Sequence, residues 1–258
     1  MAAASVTAER SGLGRAYRAT YDWLCGRHPR VRPWHFQWVD GVYLYRSLRR
    51  ELPRLGGRVL DAGCGDTPYR EWFGPVTEYV GLDLQPGPRV DVVAKPGEPW
   101  PLPGGHFDVL LCSQVLEHVE GLPLVQAEMD RVLRPGGTLV LSFPFLYNEH
   151  GVPFDFQRFT AHRAPLLFPS YEVVALERQG GIGSTIGLLL LNWVDQALNA
   201  NLATRLLKGV LLPVWVPGCL IVNLLGLALD WCDHTGAFYS NVLIMLRKRP
   251  LPSSNRRA

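Results

Sequence analysis

From residue 57 onward, short apolar runs alternate with breaks rich in Gly and Pro. The runs fall at 58–62, 78–84, 90–94, 107–112, 138–143 and 171–176, with a last one at 237–246. Runs this continuously apolar belong to strands covered on both faces, the habit of parallel sheets flanked by helices. A helical period occupies 122–133 between the fourth and fifth runs and is stopped by Arg-Pro-Gly-Gly at 134–137. Upstream, 40–52 reads as a helix. Asp40 is placed to cap it, Leu44, Leu48 and Leu52 recur at every fourth position, and Pro53 ends it. The pattern predicts a doubly wound α/β fold on a seven-stranded, mostly parallel sheet.

The stretch 180–236 breaks this rhythm. Its 57 residues hold 15 leucines and only five charges, Asp195, Arg205, Lys208, Asp230 and Asp233. Residues 209–229 carry no charge and are long enough to cross a bilayer. Pro213, Pro217, Gly218 and Asn223 interrupt the run, so the expected form is a broken, re-entrant or surface-lying helical hairpin rather than a span. The expected organisation is a helical arm over 1–57, a core over 58–179, this insert over 180–236, a final strand over 237–249 and a flexible tail over 250–258.

Composition changes the picture in two places. The chain of 258 residues is 47% hydrophobic and 19% charged, which excludes a disordered or fibrous protein. Its net charge of +3 is too small to mark a nucleic-acid binder. That charge is uneven, however. Residues 1–57 hold ten arginines against Glu9, Asp22, Asp40 and Glu51, together with eight Tyr, Trp and Phe side chains. Such an arm suits phosphates, lipid headgroups or stacked bases, and equally a pair of amphipathic helices with arginine on the wet side. The cysteines at 25, 64, 112, 219 and 232 are odd in number and show no C-x2-C spacing. With no signal-like start in MAAASVTAER, reduced thiols and a cytoplasmic location are expected, and no metal site.

The chemistry concentrates at strand ends. Residues 59–65, VLDAGCG, run a strand into a Gly-x-Gly turn, where glycine lets the backbone turn sharply and approach a ligand. A dinucleotide fingerprint needs a third glycine at 68, where Pro68 stands. Asp83 closes the second strand 20 residues after Gly63, a place suited to hydrogen-bonding both hydroxyls of a ribose. Together they point to an adenosine cofactor without a pyrophosphate.

These segments, with FDVLLCSQVLEHV at 107–119 and VLRPGGTL at 132–139, resemble the class I S-adenosylmethionine-dependent methyltransferases of the small-molecule type over about 58–180. The resemblance implies a Rossmann-like fold and S-adenosylmethionine as cofactor. It implies that Asp61, Gly63 and Gly65 line the methionine half, that Asp83 holds the ribose, and that Ser113 and Gln114 border the sulfonium. Thr67 replaces the third loop glycine of the resembled pattern. The acid expected against the adenine falls near Lys95 or Pro96, so Glu98 stands as a substitute.

The segment 145–160, FLYNEHGVPFDFQRFT, follows the fifth strand and gathers Tyr147, Glu149, His150, Asp155 and Arg158. His150 or Glu149 can take a proton from an acceptor hydroxyl, while Tyr147, Asp155 and Arg158 contact substrate. A structural alternative pairs Asp155 with Arg158 and binds His150 to backbone. His118 reads as structural. The expected activity is methyl transfer to an oxygen or nitrogen of a small, lipid- or glycan-like acceptor. An RNA methyltransferase using the basic arm, or a cofactor-binding module without catalysis, are the rivals. The insert, expected beside the substrate mouth, is assigned to peripheral membrane contact or a homodimer, with nucleic acid disfavoured.

Overall fold

The computed structural model describes residues 12–250; residues 1–11 of the expected arm and 251–258 of the expected tail lie outside the described residues. The chain forms two compact units. One comprises Arg46–Phe145, Phe154–Arg178 and the chain from Val242. The other comprises the chain up to Tyr45 with Leu146–Pro153 and Gln179–Asn241.

The first unit is built on a seven-stranded sheet of order β3-β2-β1-β4-β5-β7-β6. Its strands are β1 (Gly57–Ala62), β2 (Val76–Asp83), β3 (Val92–Val93), β4 (Phe107–Ser113), β5 (Leu133–Pro144), β6 (Tyr171–Gln179) and β7 (Asn241–Lys248). The pairs β1–β2, β1–β4, β2–β3 and β4–β5 are parallel. Leu60, Leu110, Leu111, Leu139, Leu141 and Phe143 have almost no solvent exposure, as continuous apolar runs in central strands require. The order reverses between β1 and β4, and that switch point opens a crevice at their carboxyl ends.

Three boundaries differ from expectation. β5 begins at Leu133, so Arg134–Gly137 is an irregularity inside the strand, where the register slips between Phe107↔Leu133 and Val109↔Thr138. β6, at the sheet edge, runs on to Gln179, is buried only at Tyr171 and Gln179, and leaves Val173, Val174 and Leu176 exposed. The helix expected at 40–52 is Trp38–Glu51, here α2 after α1 (Gly12–Cys25). Asp40 therefore lies in its first turn and does not cap it. Asp40 is half-buried with a hydrogen bond to Ser240, and loss of water around its carboxyl pushes its pKa up to about 6. The helix of 122–133 is α3 (Leu122–Val132).

The second unit centres on α4 (Ile182–Leu198) and α5 (Leu202–Asp230). Contrary to the sequence reading, Pro213 and Pro217 do not divide the apolar run; α5 is one helix of 29 residues through both. Both prolines are exposed, so the missing N–H donors fall on the uncovered side. The break comes instead at 199–201, where the Asn201 side chain accepts from the Thr204 N–H and starts α5. By length and composition α5 is apolar enough to cross a membrane. Tyr21 and Cys25 of α1 pack on Leu191, Trp215 and Cys219. The fully buried Asn223 donates its amide to the carbonyls of Pro33 and His35 at 2.8 and 2.9 Å, fixing the 26–37 segment to α5.

Truncating that amide strands two buried carbonyls. Asn223→Ala should lower unfolding free energy by about 1–3 kcal/mol in urea titrations of the full chain. An unchanged midpoint would show that the segment is held by other contacts.

Candidate active site

The crevice is shaped by the turn leaving β1. Gly63 has φ +75°, and a Cβ there would stand 2.3 Å from a methyl carbon of Val115, so only glycine fits. The N–H groups of Gly63 and Cys64 both donate to the Leu82 carbonyl, at 2.8 and 3.1 Å, tying the turn to the end of β2. Gly65, at φ +48°, faces open space: no atom lies within 4 Å of where its Cβ would be. Its N–H donates to Asp83 Oδ2 at 3.0 Å, and the Gln85 N–H donates to Asp83 Oδ1 at 3.1 Å. Asp83 thus closes the ring between two strand ends.

Asp61 lies one layer below, 3% exposed, and accepts a 2.6 Å bond from the Tyr79 hydroxyl. Burial, against the relief given by Tyr79 and with the nearby charge of Asp83, raises its pKa to about 6. The buried Cys64 thiol is pushed up to about 12 by burial and by Asp61 and Asp83, which leaves it inert as a nucleophile. Thr67, where the resembled pattern has glycine, is buried with φ +50°. A β-branched side chain in that region carries backbone strain.

Across the switch point, Gln114 follows β4 with φ +59°, a second strained non-glycine. Its N–H donates to the Ser142 carbonyl at 2.8 Å and its amide to Ser142 Oγ at 3.2 Å. Ser113 Oγ lies 2.7 Å from the same hydroxyl. Ser142 of β5, which the sequence reading passed over, therefore positions both residues expected to border the reacting centre. Lys95 and Glu98, considered for the adenine side, form an exposed ion pair at 3.5 Å.

Sequence reasoning also missed Glu117, in the short turn Leu116–His118 after β4. Its carboxyl is fully buried, and burial raises its pKa to about 7 despite the opposing pull of Arg158. Arg158 in turn forks onto Asp155, with Nη2 at 2.7 Å from Oδ2, so the expected local ion pair is present and Asp155 is buried. His118 Nδ1 contacts the Phe154 carbonyl at 2.5 Å. The only sequence signal for Glu117 was an acid within an otherwise apolar run.

Tyr147, Glu149 and His150 belong to the other unit, whereas Asp155 and Arg158 belong to the sheet unit. There Gln37 donates its amide to the Tyr147 hydroxyl at 3.1 Å, and Asn192 of α4 donates to Asn148 Oδ1 at 2.7 Å. His150 packs edge-on against Tyr147, with Nδ1 3.3 Å from the Asn148 carbonyl. That carbonyl accepts from Nδ1 in the tautomer that carries its proton there.

Comparison with known proteins bears on the sheet unit. Residues 60–141 match the methyltransferase domain family. A probable S-adenosylmethionine-dependent methyltransferase of Mycolicibacterium smegmatis is 36% identical over 107 residues, 37% of this chain and 42% of the relative. A nocamycin O-methyltransferase of Saccharothrix syringae is 33% identical over 129 residues, 41% and 46% of the two chains. The chain spans less than half the length of either relative. The crystal structure of the cyclase SpnF overlays with a TM-score of 0.52 and 16% identity over 82% of each chain, a likeness of fold alone.

Residues 60–141 are a class I S-adenosylmethionine-dependent methyltransferase domain.

The methyltransferase domain fits its cofactor at the crevice. The open position over Gly65 leaves room for a ligand against bare backbone, and Asp83 ends β2 with acceptor oxygens for ribose hydroxyls. Asp61, near the end of β1 before the glycines, is held by the Tyr79 hydroxyl and is ionised above about pH 6.

Glu117 makes the stability of the methyltransferase domain pH-dependent in a definite direction. Its folded pKa is raised, so the native state keeps the proton and this contribution is intact below the unfolded value near pH 4.5. It is lost as pH rises through about 7. Glu117→Gln should match the parent in unfolding free energy at pH 4–5 and exceed it at pH 8, on the order of 3 kcal/mol. A difference that does not change with pH would contradict a buried, raised carboxyl.

Proposed function

We propose that this protein transfers a methyl group from S-adenosylmethionine to an oxygen or nitrogen of a small, amphiphilic, lipid- or glycan-like acceptor, working in the cytoplasm at a membrane surface. The observation that carries the reading is the closed ring at the switch point, in which the Gly63–Gly65 turn and Asp83 form a cradle for an adenosine ligand. When bound, the cofactor supplies an electrophilic methyl carbon on a sulfonium.

The chain then has little covalent work to do. Asp83 holds the ribose, and Asp61 with the glycine turn holds the methionine end. Ser113 and Gln114, fixed by Ser142, set the wall along which the acceptor approaches. For a hydroxyl acceptor, His150 or Glu149 is the candidate base. Oxygen is favoured as the acceptor atom by the O-methyltransferase among the relatives. An apolar acceptor is favoured by the uncharged surface of α4 and α5. The five cysteines, all free thiols, suit a reducing compartment.

Incubation with S-adenosylmethionine labelled on the methyl group, against lipid extract, soluble metabolites and RNA in parallel, should place the label in the lipid extract. Label in RNA alone would overturn the acceptor class. With the acceptor in hand, His150→Ala or Glu149→Ala should slow turnover by about 10²–10⁴-fold with cofactor affinity unchanged. Full rate in both variants would remove the general-base role.

A further inference from the structure

The second unit turns an uncharged, aliphatic surface outward. Between Ile182 and Asp230 none of the charged side chains is exposed: Asp195, Arg205 and Asp230 are half-buried and Lys208 is buried. The interior of the hairpin mixes the apolar Leu188, Leu191, Trp215 and Cys219 with an unusual share of polar groups. It holds Ser184, Thr185, Asn192, Asn223 and a Lys208–Asp195 ion pair at 2.6 Å. Gly183 and Gly226 bring the helices together backbone to backbone, since a Cβ on Gly183 would lie 2.3 Å from the Gly226 carbonyl oxygen. The outside is aliphatic. Leu206, Val210, Val214, Ile221 and Leu225 form an exposed stripe along α5, with Val210 at 76% and Val214 at 70% exposure. Only 22% of the most apolar window of α5 is buried, whereas a core helix of a soluble domain is mostly covered. Polar groups and a close glycine contact between the helices, with an uncharged aliphatic outside, suit helices solvated by hydrocarbon.

The rim identifies the occupant. Trp23, Trp193 and Trp231 are exposed on this unit, at 75%, 68% and 86%, and tryptophan prefers the boundary between headgroups and acyl chains. Arg27, Arg30 and Arg32 are exposed on the same unit, next to a segment that packs on α5 through Trp34 and Phe36. Arg27 also pairs with Asp22 at 3.3 Å, and exposed arginines on a unit with an aliphatic surface complement anionic headgroups, whereas a second copy of the chain would oppose them with the same charge. One side of α5 is covered by Tyr21, Cys25 and Leu191. The chain enters the hairpin from β6 and returns into β7 of the same sheet. A hairpin covered on one side, whose two ends both join the same sheet, enters a membrane from one face, as a surface-lying helix does.

We propose that α4 and α5 form a monotopic anchor whose exposed aliphatic stripe is submerged in the acyl region of one leaflet of an anionic membrane. This rests on the reading that the protein works at a membrane surface, and adds depth, orientation and the residues that enter.

The test uses the full chain in a Cys232→Ser background, with an environment-sensitive fluorophore on Val214→Cys or, as control, on Glu172→Cys in β6. On vesicles of phosphatidylglycerol and phosphatidylcholine, the label at 214 should shift to the blue and lose at least half its intensity to nitroxides on the acyl chains. The label at 172 should do neither. Val210→Glu with Val214→Glu, still binding S-adenosylhomocysteine, should reduce flotation with the vesicles at least tenfold. If the protein floats while the label at 214 stays unshifted and unquenched, the insertion is wrong and only surface contact stands. If it does not float and sediments as a dimer that shields the label, the membrane reading fails as well.

Discussion

The backbone N–H of Gly65 donates to the Asp83 carboxylate at 3.0 Å, and that contact joins the ends of two neighbouring parallel strands. Its geometry follows from the sheet. β1 and β2 are in register from Arg58↔Glu78 to Ala62↔Leu82, so the turn after one strand meets the acid that closes the other. The same crowding of acids near the turn, with burial as the larger cause, holds Asp61 at a pKa of about 6. The glycines are there because the turn needs positive φ and, at Gly63, because Val115 leaves no room for a side chain. Thr67 and Gln114 carry the strain that remains, one on each side of the crevice.

The two units solve the burial problem in opposite ways. The sheet unit hides Leu and Val in central strands and turns most of its charges outward, apart from Asp61, Glu117, Glu128 and the Asp155–Arg158 pair. The hairpin unit hides an ion pair and asparagine amides beside Leu188, Leu191 and Trp215, and leaves most of its other aliphatic side chains uncovered. Removing apolar side chains from water is favourable by about 25 cal/mol per Å². Water is therefore a poor solvent for the second surface and hydrocarbon a good one.

The sheet was legible because its central strands are apolar without interruption, which no other local pattern imitates. The ends of β1, β2 and β4, with the residues proposed to hold the cofactor, were legible for the same reason: chemistry sits where apolar runs stop. Other features were not. Arg134–Gly137 reads as a full stop, yet pairing with β4 carries β5 through it with a slip in register. Pro213 and Pro217 read as breaks, yet both are exposed on a helix that packs only on its other side, so the lost hydrogen bonds face outward. Asp40 has the chemistry of a cap, but the helix starts at Trp38, and the acid is drawn inward to Ser240. Glu117 was hidden by its apolar neighbours, because a buried acid is recognised only when burial is seen. The division of 145–160 between two units is a long-range property that no local pattern encodes.

The central claim is that the closed ring between Gly65 and Asp83 is the seat of the adenosine cofactor. Titration calorimetry of S-adenosylhomocysteine into the parent and into Asp83→Ala, each shown to be folded by circular dichroism, tests it most directly. The account predicts affinity weaker by about 1–3 kcal/mol in the variant, with full stoichiometry in the parent. Equal affinity in a folded Asp83→Ala protein would contradict it.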